Sequence, residues 1–214
     1  MTRVLRAAGV RAFLVTDASR SDDEVVAAAR RALGILPPAK VAIQLRDKVR
    51  SLTDLAPLAR TLRAVTSACG TSFVVGDHPD LARDVGADGV HVPGGVDAVA
   101  AARDTVGPDV LISAPCHADE DVLPLAGAGA TSLLVSPIFA TPGKGPARGL
   151  GAVTRARDAL ASVVVPVRVT ALGGVDESNA EAAFAAGAGA IAFVRPWFAE
   201  DAVGRLGKLA AILG

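Results

Sequence analysis

In the segment IQLRDK, Gln44, Arg46 and Lys48 are spaced by two. On a continuing strand they project to one face, while Leu45 and Asp47 face the other. An amide and two cations converging at a strand end suit a multiply charged anion such as pyrophosphate, because Arg offers a planar fork and Lys a mobile point charge. The bland alternative is a solvated, charged strand end. Farther along, SPIFATPGKG sets Lys144 in a loop with Pro137, Thr141, Pro142, Gly143 and Gly145. Glycine hinges let such a loop close over a ligand, where a lysine neutralises charge developing on a leaving group. Otherwise Lys144 is a soluble loop tip.

Other segments carry weaker signals. ALGGV and FVRPW place Gly173, Gly174 and Arg195 after two late apolar runs, where barrels commonly bind phosphate through backbone N–H groups and a helix start. On a barrel, phosphate binding is the favoured reading of the glycines over a tight turn into a helix, and Arg195 could add a bidentate contact or pair with a surface carboxylate. GDHPD offers Asp77, His78 and Asp80, and GVHVPGGVD offers His91 and Asp97. Carboxylates beside a diphosphate suggest Mg²⁺, which takes few protein oxygens and keeps water and phosphate as its other ligands. Against that, Asp80 reads as an early helical residue and His91 as a packed one. Cys116 and His117 are adjacent, so on a strand they point apart and make a poor nucleophile–base pair. His117 alone can act as acid or base near neutral pH.

These residues need a frame. Short runs of Val, Ile, Leu and Phe recur, each followed by a longer Ala-rich stretch, the pattern of alternating strands and helices. Strands are expected at 11–16, 40–45, 72–75, 89–92, 110–113, 132–135, 167–171 and 190–194, with helices starting near Asp22, Thr53, Pro79, Val96, Asp119, Gly149, Asp176 and Ala199. Eight such units close a (β/α)8 TIM barrel, here one α/β domain over residues 1–214. An open doubly wound sheet competes, but TDAS after the first strand has no glycine for a nucleotide loop. GADGV (Gly86 on), GAGAT (Gly127 on) and GAGAI (Gly187 on) each read as a glycine ending a helix before a strand.

Composition excludes several classes. With 22 basic and 22 acidic residues among 214, and no basic block, little supports nucleic-acid binding. No apolar run approaches the roughly 18 residues of a spanning helix. The opening MTRVLRAAGVRAFLVTD mimics a signal peptide, but Arg6 and Arg11 split its apolar part, and AFLVTD reads as a strand. Cys69 and Cys116 make no disulfide framework and lack metal-ligand spacing, so a cytoplasmic location with reduced thiols is expected. Association into a homo-oligomer stays open.

Taken in order, FLVTD, IQLRDK, VVGDHPDLARDVGADGVHV, SAPCH, LLVSPIFATPGKG, ALGGV and NAEAAFAAGAGAIAFV resemble the thiamine phosphate synthase family and its relatives, the thiazole tautomerases, over nearly the whole chain. The resemblance implies a (β/α)8 transferase that joins a hydroxymethylpyrimidine diphosphate to a thiazole phosphate with Mg²⁺ and releases pyrophosphate. By motif match, Arg46, Lys48 and Lys144 would gather around the departing charge and Gln44 would contact the pyrimidine. Asp77 would bind metal, while Thr141 and Gly174 would hold the thiazole phosphate.

This chain also departs from the family pattern. Gly76 stands where Asn usually precedes the metal-binding Asp, and His91-Val-Pro-Gly-Gly-Val-Asp97 shifts or loses the second carboxylate. Pro115 stands where Ser is common, Gly143 where Thr precedes the loop Lys, and Arg195 where Ser ends the eighth strand. Two other functions therefore stay open: a metal-free tautomerase using His117, and a non-catalytic relative that binds a phosphorylated ligand.

Overall fold

The computed structural model describes residues 9–214. Eight strands, β1 (Ala12–Val15), β2 (Val41–Leu45), β3 (Ser72–Gly76), β4 (Gly89–His91), β5 (Leu111–Cys116), β6 (Ser132–Val135), β7 (Arg168–Leu172) and β8 (Ala190–Phe193), form one closed parallel barrel. Each strand pairs with the next, and β1 with β8 completes the ring. Eight helices alternate with them: α1 (Asp22–Leu33), α2 (Leu52–Cys69), α3 (Pro79–Asp84), α4 (Gly95–Val106), α5 (Val122–Gly127), α6 (Leu150–Leu160), α7 (Ala180–Ala185) and α8 (Ala202–Leu213). β1 is shorter than the expected 11–16, with Arg11 and Thr16 just outside it, and Arg6 lies outside the described residues.

Strands covered on both faces need apolar residues at every position, which is why the period-two alternation is absent. Leu14, Ile43, Phe73, Val90, Ile112, Leu133, Val169 and Ile191 point outward into a core shared with the helices. A second, smaller cluster of Phe13, Val15, Ala42, Val74, Leu111, Ala190 and Ala192 fills the barrel. The helices supply complementary stripes. In α1, Val25, Ala28, Ala29, Ala32 and Leu33 are buried at helical spacing, and Ser21 with Glu24 closes a capping box at its start. In α2, Leu55, Leu58 and Leu62 do the same; cutting the fully buried Leu62 to Ala costs about 2–5 kcal/mol.

Several boundaries differ from the sequence expectation. β5 runs from Leu111 to Cys116, past the expected end at 113 and through Pro115, which lacks a backbone donor. Asp119–Asp121 forms a 3₁₀ turn before α5, and Pro196–Phe198 forms another before α8. An Asp176–Asn179 turn delays α7: the Asp176 N–H donates to Asn179 Oδ1 at 3.0 Å. The helix-exit repeat also sits differently. Its left-handed glycines are Gly86, Gly129 and Gly187, so in the second copy Gly129 ends the helix rather than Gly127. The same bond follows each: Ala87 N–H to Ala82 O (2.8 Å), Ala130 to Leu125 (3.1 Å) and Ala188 to Ala183 (3.1 Å).

Candidate active site

Parallel strands bring all their carboxyl ends to one rim, and inward positions near that end become the floor of any site there. Gln44, His91, Ser113, Ser132 and Thr170 share the inward parity of the apolar filling and replace it with polar groups. Ser132 and Thr170 hydroxyls satisfy one another at 2.9 Å. Gln44 is 2% exposed, and its Oε1 is buried with no hydrogen-bond partner among the described residues. A buried orphan acceptor costs about 1–3 kcal/mol, a standing penalty that a donor on a ligand would relieve.

The segment beyond β2 is tied down from two sides. Thr16 at the end of β1 donates its N–H to Gln44 O, and its Oγ1 accepts from the Arg46 N–H at 2.8 Å. Asp47 faces away from the lumen, as the spacing predicts, but it is not solvated. It is buried, and its carboxylate accepts the N–H groups of Val49 (2.8 Å) and Arg50 (2.9 Å) and the Arg50 Nε (2.8 Å). Burial pushes its carboxyl up, yet those two amides and the guanidinium outweigh it and hold it below the usual range. Arg50 also reaches Asp22 on α1 at 2.7 Å. Fixing both flanks presents Arg46, half-buried, and Lys48, exposed, at the rim.

His91, at the end of β4, bonds Ser113 on β5 through Nδ1 at 2.8 Å. Burial and the nearby charges of Arg46 and Lys48 push its pKa down to about 4, so the ring is neutral at pH 7. Both cations thus act on the charge of His91. The His91 carbonyl accepts the Asp77 N–H at 2.7 Å, and Asp77 is held at φ 65°, the left-handed region that non-glycine residues rarely adopt. Asp77 is exposed at the end of β3 and borders a groove of about 350 Å³ with Asp80, Gly94 and Ala98. Asp97 lies in the first turn of α4, exposed, and is not among the residues of that groove. Asp80 behaves as an early helical residue and pairs with Arg83 at 3.0 Å.

Across the ring, β6 stands opposite β2, so the Lys144 loop rises from the far side of the same mouth. Residues 142–147 of this loop are exposed, Lys144 included. The loop begins against the β7 end: Ile138 N–H donates to Leu172 O and Phe139 N–H to Gly173 O, both at 2.9 Å. Thr141 Oγ1 donates to Phe139 O at 3.0 Å. Gly173 and Gly174 have φ 92° and 65°, and a Cβ on either would come within 2.7 Å of Pro137 or Phe139. Only glycine allows this close approach. Arg195, exposed after β8, neighbours that strand end. Cys116 and His117 point apart as expected. Cys116 is buried in the outer core with burial pushing its thiol up, which removes the thiolate needed for nucleophilic attack. His117 is exposed, its N–H held by Asp121 at 3.2 Å.

The rim thus has two halves, a cationic one at β2–β4 and a glycine-rich one at β6–β8. The sequence singled out residues on both halves but not the groups that tie the β2 end down, Thr16 and Asp47 with Arg50. A carboxylate between two cations was the available signal for Asp47.

A closed (β/α)8 barrel with polar and charged side chains gathered at the carboxyl rim is the enzyme form of this architecture. The family model for thiamine monophosphate synthase matches residues 12–196, and the chain belongs to that family. It is similar to the thiamine-phosphate synthase of Gloeobacter violaceus, with 36% identity over 94% of this chain, and spans 56% of that relative's length. It is 35% identical to the thiamine-phosphate synthase of Haloarcula marismortui over 85% of this chain and 86% of that one. The solved thiamine phosphate pyrophosphorylase of Pyrococcus furiosus superposes with a TM-score of 0.81 at 26% identity, covering 98% of this chain and 97% of that one. The chain is a thiamine phosphate synthase-like transferase of thiamine biosynthesis.

Proposed function

We propose that this chain, acting as one unit over residues 1–214, joins hydroxymethylpyrimidine diphosphate to a thiazole phosphate through the rim residues described above. The C–O bond between the pyrimidine methylene and the diphosphate breaks, and its electron pair leaves with pyrophosphate. The thiazole nitrogen then gives its lone pair to the methylene carbon. Leaving-group charge is the principal barrier, so cations fixed before the reaction lower it without reorganisation. Arg46 and Lys48 hold the diphosphate from the β2 side, and Lys144 covers it from across the mouth. Gln44 offers its orphan Oε1 to a pyrimidine donor. Thr141, Gly173, Gly174 and Arg195 receive the thiazole phosphate, where glycine backbone can approach it closely.

The family's Mg²⁺ needs few protein ligands when a diphosphate supplies the rest. Among the described residues no three His, Cys, Asp or Glu groups are placed to hold a metal ion by themselves. That donor set fits an ion carried in with the diphosphate, held by Asp77, with Asp97 as the second candidate carboxylate. Bound there, it would add positive charge beside the leaving group. Small phosphorylated molecules are then the partners, with neither nucleic acid nor membrane involved. Among the described residues no helix is long and apolar enough to cross a membrane, and both cysteines are free thiols, in keeping with a cytoplasmic enzyme.

The observation that supports this reading is topological: Arg46 and Lys48 follow β2 and the Lys144 loop follows β6, so both rise from strand ends on the carboxyl side of one barrel. Pyrophosphate release tests it. Release is expected only when both substrates and Mg²⁺ are present, and a folded sample that releases none under those conditions overturns it.

A further inference from the structure

Lys144 rides on an exposed loop, yet leaving-group stabilisation needs its ammonium held to within a fraction of an ångström. At the entry to the loop, backbone bonds from Ile138 and Phe139 fix it to the β7 end. The exit is fixed differently. Arg148 donates its own N–H to Pro137 O at 2.8 Å, and the next residue, Gly149, donates to Ile138 O at 3.1 Å, so the loop is pinched shut at its base. The Arg148 guanidinium then leaves the loop altogether. One nitrogen donates to the carbonyl of Cys116 at 2.7 Å, and the other to Asp119 Oδ1 at 2.6 Å.

Both acceptors belong to the end of β5 and the turn after it, on either side of His117. Asp119 is itself steadied: Arg155 on α6 holds its second oxygen at 2.6 Å, and Arg155 first, then Arg148, keeps its carboxyl below the usual range. The Arg148 side chain is only 15% exposed, although residues 142–147 immediately before it are all exposed. A largely buried guanidinium with charge-assisted bonds to a carbonyl and a carboxylate is a far stiffer tie than a surface ion pair.

We propose that Arg148 is a positioning residue: it latches the base of the Lys144 loop to the end of β5 and so sets where the Lys144 ammonium stands over a bound diphosphate. This rests on the transferase reading, because only a leaving anion gives Lys144 its task. Arg148 itself touches no substrate. Its effect must therefore travel through Lys144, which distinguishes it from a fourth anion-binding cation.

The test uses the full chain and two variants, Arg148→Ala and Arg148→Lys, combined with Lys144→Ala. Hydrogen exchange over residues 138–149 reads the latch directly. Arg148→Ala is expected to speed exchange there by about tenfold, leaving β1 and α1 unchanged. Turnover should fall by about a hundredfold in kcat, with a smaller change in the KM for the diphosphate. Arg148→Lys keeps the charge but cannot span both acceptors, and should restore part of the loss. In the cycle, Arg148→Ala should add little to Lys144→Ala, because the two act as one device. Unchanged loop exchange in Arg148→Ala overturns the latch, and so does a fully multiplicative loss in the double variant. If Arg148→Ala does not fold, Arg148→Lys gives the same readouts at smaller amplitude. A wild-type chain without turnover sinks the transferase reading instead, while loop exchange still decides the latch.

Discussion

The imidazole of His91 bonds Ser113 on the neighbouring strand at 2.8 Å, buried and within the field of Arg46 and Lys48. An unfolded histidine takes up its proton near 6.5, whereas this one waits until about 4. Between those values the unfolded chain binds more protons, so stability present at neutral pH is lost as pH falls from 6.5 towards 4. Denaturant titrations near pH 7 and pH 5 should show a His91→Asn variant losing about 2 kcal/mol less than wild type over that interval. Equal losses would contradict a buried ring kept neutral by desolvation and by the nearby cations.

Asp47 is predicted to matter twice. Asp47→Ala leaves two amides and the Arg50 Nε without their acceptor, while the Arg50–Asp22 pair remains, at a cost of about 2 kcal/mol in stability. It also frees the stretch that carries Arg46 and Lys48, so the KM for the diphosphate should rise more than kcat falls. Steady-state kinetics with the diphosphate varied will check this. The folded Asp47 carboxyl lies below its ordinary value, so its contribution is present above 3.8 and disappears as pH falls below that.

Gly173 separates a phosphate-binding role from a mere turn. Its φ of 92° and a Cβ 2.7 Å from Pro137 make Gly173→Ala strained in both backbone and packing. The loop entry packed there should shift, raising the KM for the thiazole phosphate while the diphosphate KM changes less. The two KM values measured side by side decide it.

His117 is exposed on the rim, and the transferase reading gives it no proton to move. His117→Ala should keep pyrophosphate release within about threefold of wild type, whereas loss of a true general base costs about a hundredfold or more. A collapse of activity would favour the proton-transfer alternative.

Much of this was legible in the chain. Strand runs such as AFLV and SLLV show themselves because burial on both faces demands unbroken apolar residues, and eight of them imply closure. Period-two spacing placed Gln44 and Arg46 on one side and Asp47 on the other. Boundaries failed where a side-chain turn or a 3₁₀ turn delayed a helix, at Asp176 and Pro196, and where β5 ran on through Pro115. The anchors failed for another reason. Arg148 meets Cys116 across 32 residues, a contact that no local periodicity encodes.

The central claim is that Arg46, Lys48 and Lys144 serve one anion. Calorimetric titration of inorganic pyrophosphate with Mg²⁺ into wild type and the three single alanine variants tests it most directly. One molecule should bind per chain, about tenfold more weakly in each variant, with folding unchanged for the exposed Lys144→Ala. Wild-type affinity in Lys144→Ala beside lost affinity in Arg46→Ala would contradict it, since the two sides of the mouth would then not share a ligand.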